Sequence, residues 1–327
     1  LGEGYLVPHL ASKVLHNRYG DCKDHVVLLE SLLKAVGIES SPALISSGGN
    51  QRLSSIGAHY PINHVITYVP SLDLYLDSTD PFAPFGTLPL GDLDKPVVLT
   101  GLNRLGHTPP MKADDHTSHT KVRMTVHPDG SISGKALARR TGYLEIGSRA
   151  SRFEDQSKSM SDVVRSQLFR FNETGTGTLR YTDPADITQP FEINSDFTLE
   201  PVANIPGRGG MAVPVGLGPG DIAYLGIVKP EPVSERPALC NSRSITERYT
   251  LIFPPNVSIE NIPRGTKFIR SGIDFVSSYS RVGRAVTIDR KVRIQRQSRI
   301  CGLQESRDWD DFYRVIQREL RSQIIYR

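Results

Sequence analysis

The sequence predicts an α+β fold: a helix that opens on a cysteine, packed on an antiparallel sheet, then β-rich, sandwich-like modules and a C-terminal helix. Three observations lead there. Cys22 to Val36 carries apolar residues at Val26, Leu29, Leu32, Leu33 and Val36, a helical stripe ended by Gly37. Two short alternating segments follow, Asn63–Val69 and Leu72–Asp77, which read as paired strands. Beyond residue 120, period-two alternation and turn signals dominate.

Taken in order, these signals divide the chain into a core over 1–105, a Pro-rich linker over 106–120 and a β-rich domain with a helix over 121–205. A Gly/Pro-rich connection over 206–243 leads to a C-terminal β-rich region, 244–327, that ends in a helix. Thr108, Pro109 and Pro110 punctuate the linker. Lys121–Val126 and Ser131–Ala138 flank His127-Pro128-Asp129-Gly130, a hairpin signal. Asp162–Phe169 is expected to be a helix, with strands near Leu179–Tyr181 and Phe191–Leu199 and a last helix over Trp309–Ile324. The glycines of 216–220 lack the Gly-Lys-Ser/Thr of a phosphate loop and read as loop residues.

A chain of 327 residues can bury cores without disulfide staples, and 38% hydrophobic with 23% charged residues is ordinary for a soluble globular protein. No apolar run approaches the roughly 18 residues of a membrane span. The sequence opens at Leu1 rather than Met, so it reads as a piece of a longer protein and the missing leader says nothing about secretion. A net charge of +4 does not imply a nucleic-acid partner. The basic stretch Arg264–Arg299 contains a strand in which Val286, Ile288, Val292 and Ile294 alternate with polar residues. That is a half-buried strand with a charged wet face, and no aromatic residue within it could stack a base.

The informative segment is Asn17-Arg18-Tyr19-Gly20-Asp21-Cys22-Lys23-Asp24. Asp21 is placed as an N-cap, which puts Cys22 at the first helical position, and Asp24 helps to cap the turn. Free N–H groups and the helix dipole there favour a negative sulfur and can donate to an oxyanion. The bland alternative is a small buried thiol. The strand pattern argues against it. His64, Ile66 and Tyr68 share one strand face; Asp73, Tyr75 and Asp77 share another. With Pro70-Ser71 as a two-residue turn, His64 lies directly opposite Asp77. A four-residue loop would pair His64 with Thr79 and leave Asp77 on the diagonal of the same face; only an odd loop separates them. The spacing therefore favours a His64–Asp77 hydrogen bond that leaves the second ring nitrogen for the sulfur.

Together, Tyr19-Gly20-Asp21-Cys22-Lys23-Asp24, the helix Leu28–Ile38, Asn63-His64 at a strand start and Asp77-Ser78-Thr79-Asp80-Pro81 resemble the transglutaminase-like superfamily, in particular its bacterial multidomain members. The resemblance covers about residues 8–90 and implies a papain-like core, truncated at its N-terminus, with Cys22 as nucleophile, His64 as base and Asp77 orienting the histidine. Serine stands where the family has the proline of an Asp-Pro-Thr-like tripeptide, so Asp80 competes with Asp77; the strand register points to Asp77. The polar side chain that usually completes the oxyanion hole has candidates in His16, Asn17 and Tyr19, with Asp24 as a site support. The implied chemistry is acyl transfer from a carboxamide, Gln-like or peptide amide, through a Cys22 thioester to a primary amine or water. A protein or peptide substrate is the implied partner and no cofactor is expected, since no Asp-x-Asp-x-Asp-Gly calcium loop is present. The rival readings are a cysteine peptidase or amidase using the same triad, and an inactive scaffold that binds a partner or glycan.

His25 lies one turn after Cys22 and is a competing imidazole, and His59 lies in an expected loop at the cleft lip. Asp114, Asp115, His116 and His119 have ligand-like spacing but no helix to aim them, so no metal is expected. Cys240 and Cys301 form an even pair. Bridged, they indicate a periplasmic or extracellular compartment; the alternative is two buried thiols.

Overall fold

The computed structural model describes residues 7–48, 62–228 and 238–327, and the fold is α+β. The chain divides into two compact units, 1–111 and 112–327.

The first unit opens with α1 (Ala11–Asn17) and α2 (Cys22–Ala35), which pack against each other. Five strands follow: β1 (Ser41–Ile45), β2 (His64–Val69), β3 (Leu74–Leu76), β4 (Pro96–Leu99) and β5 (Arg104–His107). They form one antiparallel sheet in the order β3-β2-β1-β4-β5, with α2 packed on β2. Ala43, Ile45, Ile66 and Val97 are fully buried in it. The expected stripe of α2 is covered only in part. Val26 is buried, whereas Leu32 and Val36 are exposed.

The β2–β3 connection corrects the two-residue turn. Val69 pairs with Leu74 and Thr67 with Leu76, so four residues, 70–73, make the link. Pro70–Leu72 coil into a 3-10 turn and Asp73 adopts a left-handed conformation at φ 47°. The Tyr68 hydroxyl donates to Asp73 Oδ1 at 2.9 Å and steadies that conformation. The loop has even length, so the shared face of His64 and Asp77 survives the change of register.

In the second unit, β6 (Thr117–Val126) and β7 (Ile132–Arg140) form the expected hairpin, with Gly130 at φ 83° in its turn. Then come α3 (Tyr143–Asp155), α4 (Met160–Phe169), β8 (Gly175–Tyr181), β9 (Glu192–Leu199), β10 (Gly209–Ala212) and α5 (Asp221–Ile227). The remainder is β11 (Ala238–Leu239), β12 (Arg243–Ile252), β13 (Ile259–Asn261), β14 (Lys267–Arg270), β15 (Ile273–Val282), β16 (Ala285–Ile294), β17 (Ile300–Cys301), α6 (Leu303–Leu320) and β18 (Gln323–Tyr326).

One eight-stranded sheet, β14-β15-β16-β12-β6-β7-β9-β8, draws on both stretches that the sequence pattern separates at 206–243. β6 and β12 run parallel at its centre, and the other neighbours are antiparallel. Val122, Met124, Leu251 and Ile288 share one core with Ile324 and Tyr326 of the small sheet β10-β18-β13. A second core sets Phe312 and Ile316 of α6 against Phe275, Val292 and Ile294. The last helix therefore begins earlier than expected and stops at Leu320. Ile324 and Tyr326 alternate into the core as a strand, which a helix through Ile324 could not do.

Helix α3 escapes the sequence reading because much of its buried face is polar. Arg149 is fully buried, paired with Glu145 Oε1 at 2.7 Å, and donates to the carbonyls of Asp183, Pro184, Asp186 and Gln189. Cys240 and Cys301 are bridged, at a Cα–Cα distance of 5.8 Å. His116 is buried against the Tyr143 ring, while His119 points the other way from β6 toward Thr246, so the two do not converge. Asp114 pairs instead with Arg293 at 3.1 Å. Among the described residues no helix is long and apolar enough to cross a membrane.

Candidate active site

Cys22 is the first residue of α2 and is partly exposed. The start of that helix is held by a reciprocal cap. Asp21 Oδ1 accepts from Lys23 N at 3.0 Å and Asp24 N at 3.4 Å, and Asp24 Oδ2 accepts from Asp21 N at 3.2 Å. Asp24 is buried and also accepts from His9 N at 2.8 Å, so it anchors the preceding segment as well as the cap. Gly20 is required beside it: a Cβ there would lie 2.4 Å from Asp24 Cβ. These contacts fix the direction in which the Cys22 side chain leaves the helix.

His64 is the first residue of β2. Its neighbour Asn63 grips Ser47 with two hydrogen bonds, accepting from Ser47 N at 2.8 Å and donating to Ser47 O at 3.0 Å. The His64 Nε2–H donates to Asp77 Oδ2 at 3.0 Å. A carboxylate only accepts, so the proton sits on Nε2 and Nδ1 is left for another partner. Asp77 Oδ1 is held in turn by the Thr79 hydroxyl at 2.6 Å and the Thr79 N–H at 2.9 Å. Asp80 serves its own turn instead, accepting from Phe82 N at 2.9 Å.

Burial alone would lower the His64 pKa. The hydrogen bond and charge of Asp77 outweigh it, with added support from Cys22 and Asp92, and raise the pKa to about 9. Burial pushes the Asp77 carboxyl up, but the His64 and Thr79 hydrogen bonds bring it down to about 2. At neutral pH the pair is thus imidazolium and carboxylate.

The remaining candidates fall elsewhere. His25 Nδ1 donates to the Ser78 carbonyl at 2.8 Å, which ties α2 to the loop carrying Asp77. Asn17 ends α1 and is exposed, and Tyr19 is 74% exposed on the rim of an apolar groove with Leu15, Leu28, Leu29 and Leu32. His16 is exposed too. His59 lies outside the described residues.

One residue was not anticipated. Asp92 is 1% exposed and sits beside His64 and Asp77 in a cleft of about 490 Å³ that Thr79, Phe82 and Ser47 also line. One ligand-type atom from each of His64, Asp77 and Asp92 lies within 4.8 Å of the others, the one such grouping with metal-ligand character among the described residues. Burial first, then the charge of Asp77, raises the Asp92 pKa to about 6, against opposing pulls from Ser47 and His64. In sequence it is one acid among several in a Gly/Pro-containing loop, with no periodicity to mark it.

No protein-family model matches the chain, and no curated protein does. Among solved structures it is similar to a protein from Parabacteroides distasonis described as a "putative protease", at 12% identity and a TM-score of 0.47. The similarity covers 97% of this chain and 46% of that one. It is too distant to assign a family or an activity.

Proposed function

We propose that the chain is a transglutaminase-like thiol enzyme that transfers an acyl group from a carboxamide through a thioester on Cys22. The observation that carries this reading is the His64 Nε2–Asp77 Oδ2 bond of 3.0 Å, taken together with a cysteine that opens a capped helix. The Cys22 thiolate attacks the carbonyl carbon, and the C–S bond forms as charge moves to the oxygen, where helix-start N–H groups can receive it. His64, protonated at neutral pH, gives its proton to the leaving nitrogen as the C–N bond breaks. An amine or water then attacks the thioester, returns its proton to His64 and frees the sulfur. The substrate is a Gln-like side chain or peptide amide on a protein or peptide. The Cys240–Cys301 bridge is compatible with a periplasmic or extracellular setting.

Alkylation tests the nucleophile. Iodoacetamide should label Cys22 at neutral pH, and Cys22→Ala should remove that label; equal labelling of the variant refutes the assignment. His64→Ala should slow alkylation at pH 7 far more than at pH 9, because it removes the ion pair and keeps the thiol. A glutamine peptide with and without a primary amine then separates isopeptide formation from deamidation or cleavage. An unreactive Cys22 would favour the inactive scaffold.

A further inference from the structure

Buried carboxylates are normally paired or hydrogen-bonded. Asp92 departs from that rule: among the described residues neither side-chain oxygen closes a hydrogen bond of good geometry, and the Ser47 side chain supplies only a pull that burial outweighs. Its placement is nevertheless closely built. Asp92 N donates to Pro89 O at 3.0 Å, and its carbonyl accepts from the buried Thr108 hydroxyl at 2.5 Å. That hydroxyl also accepts from Lys95 N at 2.8 Å, while Gly48 N donates to Gly91 O at 3.0 Å across the turn. A Cβ at position 91 would sit 2.6 Å from Ser47 Oγ and 3.1 Å from Gly48 N, so glycine lets the turn approach the segment after β1 this closely. This bracing delivers an unsatisfied carboxyl group to the His64–Asp77 pair.

We infer that Asp92 is a positioning residue of the thiol site, a second carboxyl group behind the His64–Asp77 pair whose protonation state sets how firmly the imidazolium is held. The inference rests on the thiol-enzyme reading only for its catalytic consequence. The titratable and charged groups around Asp92 are His64 from β2, Asp77 and Asp80 from the segment after β3, and Asp94 and Lys95 from its own turn. The Lys95 ammonium is spent on Gly48 O at 3.0 Å. Protonated, Asp92 can share its proton with the Asp77 carboxylate and leaves one negative charge beside the ring. Ionised, it adds a second negative charge and strengthens the imidazolium. Its pKa of about 6 places this change just below neutrality. The Cys22–His64 pair therefore gains support as pH rises through 6, before His64 itself deprotonates.

The test compares the wild-type chain with Asp92→Asn by NMR of labelled histidine rings and aspartate carboxyl carbons from pH 4 to 10, with Cys22 alkylation rates over the same range. In the wild type, the Asp92 carboxyl carbon should titrate near pH 6 and the His64 ring should show a matching inflection there. Asp92→Asn should remove that inflection and lower the main His64 midpoint. That midpoint should fall by about half to one pKa unit, which lowers the imidazolium fraction at pH 9 about two- to fivefold and leaves it nearly unchanged at pH 7. A variant that is merely less stable but keeps the His64 inflection and midpoint overturns the inference. So does a wild-type Asp92 that titrates as an ordinary aspartate, which needs no variant to fold. A His64 inflection near pH 6 in a chain whose Cys22 is inert would sink the enzyme reading and leave the role of Asp92 standing.

Discussion

Asp77→Asn isolates the contribution of one charge. Asparagine keeps the size of the side chain and can still accept from His64 Nε2, but it removes the anion that offsets burial. His64 is only 15% exposed at its side chain, so solvent screens the pair little. Burial acting alone drives its pKa below the ordinary value of 6.5, and Asp77 is the main reason it reaches about 9. The variant should therefore titrate at or below 6.5. A fall of that size is worth about 3 kcal/mol of imidazolium stabilisation. At pH 7 the protonated fraction should drop from nearly all to about a quarter or less.

The sign of the stability change follows from the same shift. A folded-state pKa raised above its unfolded value stabilises fully below pH 6.5, and that stability is lost as pH rises through about 9. The deficit of Asp77→Asn in urea denaturation should hence be largest near pH 6 and shrink above pH 9. Two-dimensional NMR of the His64 ring gives the midpoint directly. A midpoint that stays near 9 in the variant would refute the assignment of Asp77 as the controlling charge.

Two further outcomes test the supports. Asp24→Ala removes the reciprocal half of the cap on α2, leaving the Asp21 half, and the anchor for His9; it should cost about 1–2 kcal/mol, read as a lower Tm, with slower Cys22 alkylation as the helix start loosens. Reducing the Cys240–Cys301 bridge opens a loop with a sequence separation of 61 and should destabilise the second unit by about 4 kcal/mol, seen as a Tm that falls with reductant and is unchanged in a chain lacking both cysteines.

How far the sequence reaches can be judged residue by residue. The helix start at Cys22 was legible because a cap is a local event: Asp21 and Asp24 lie within one turn of the groups they satisfy. The β6–β7 hairpin was legible for the same reason, with alternation on both sides of a turn carrying its own Gly130. Helix α3 was not, because Arg149 is buried by virtue of carbonyls 34 to 40 residues away. Nor was the end of α6. Residues 323–326 are a strand only because β10 and β13 lie on either side to pair with them.

The same division runs through the site. Parity along an extended chain is a property of covalent geometry, so His64 and Asp77 belonged on one face for any even loop, and the four-residue link observed changed their register without separating them. The sequence by itself therefore determined the capped cysteine and the shared side on which the His64 imidazole and the Asp77 carboxylate stand. Tertiary structure alone decided that Asp92, fifteen residues beyond Asp77 in the chain, comes to the same cleft. Pairing of β1 with both β2 and β4 brings the Asp92 turn beside Ser47 and His64, and burial there changes what an unremarkable loop aspartate can do.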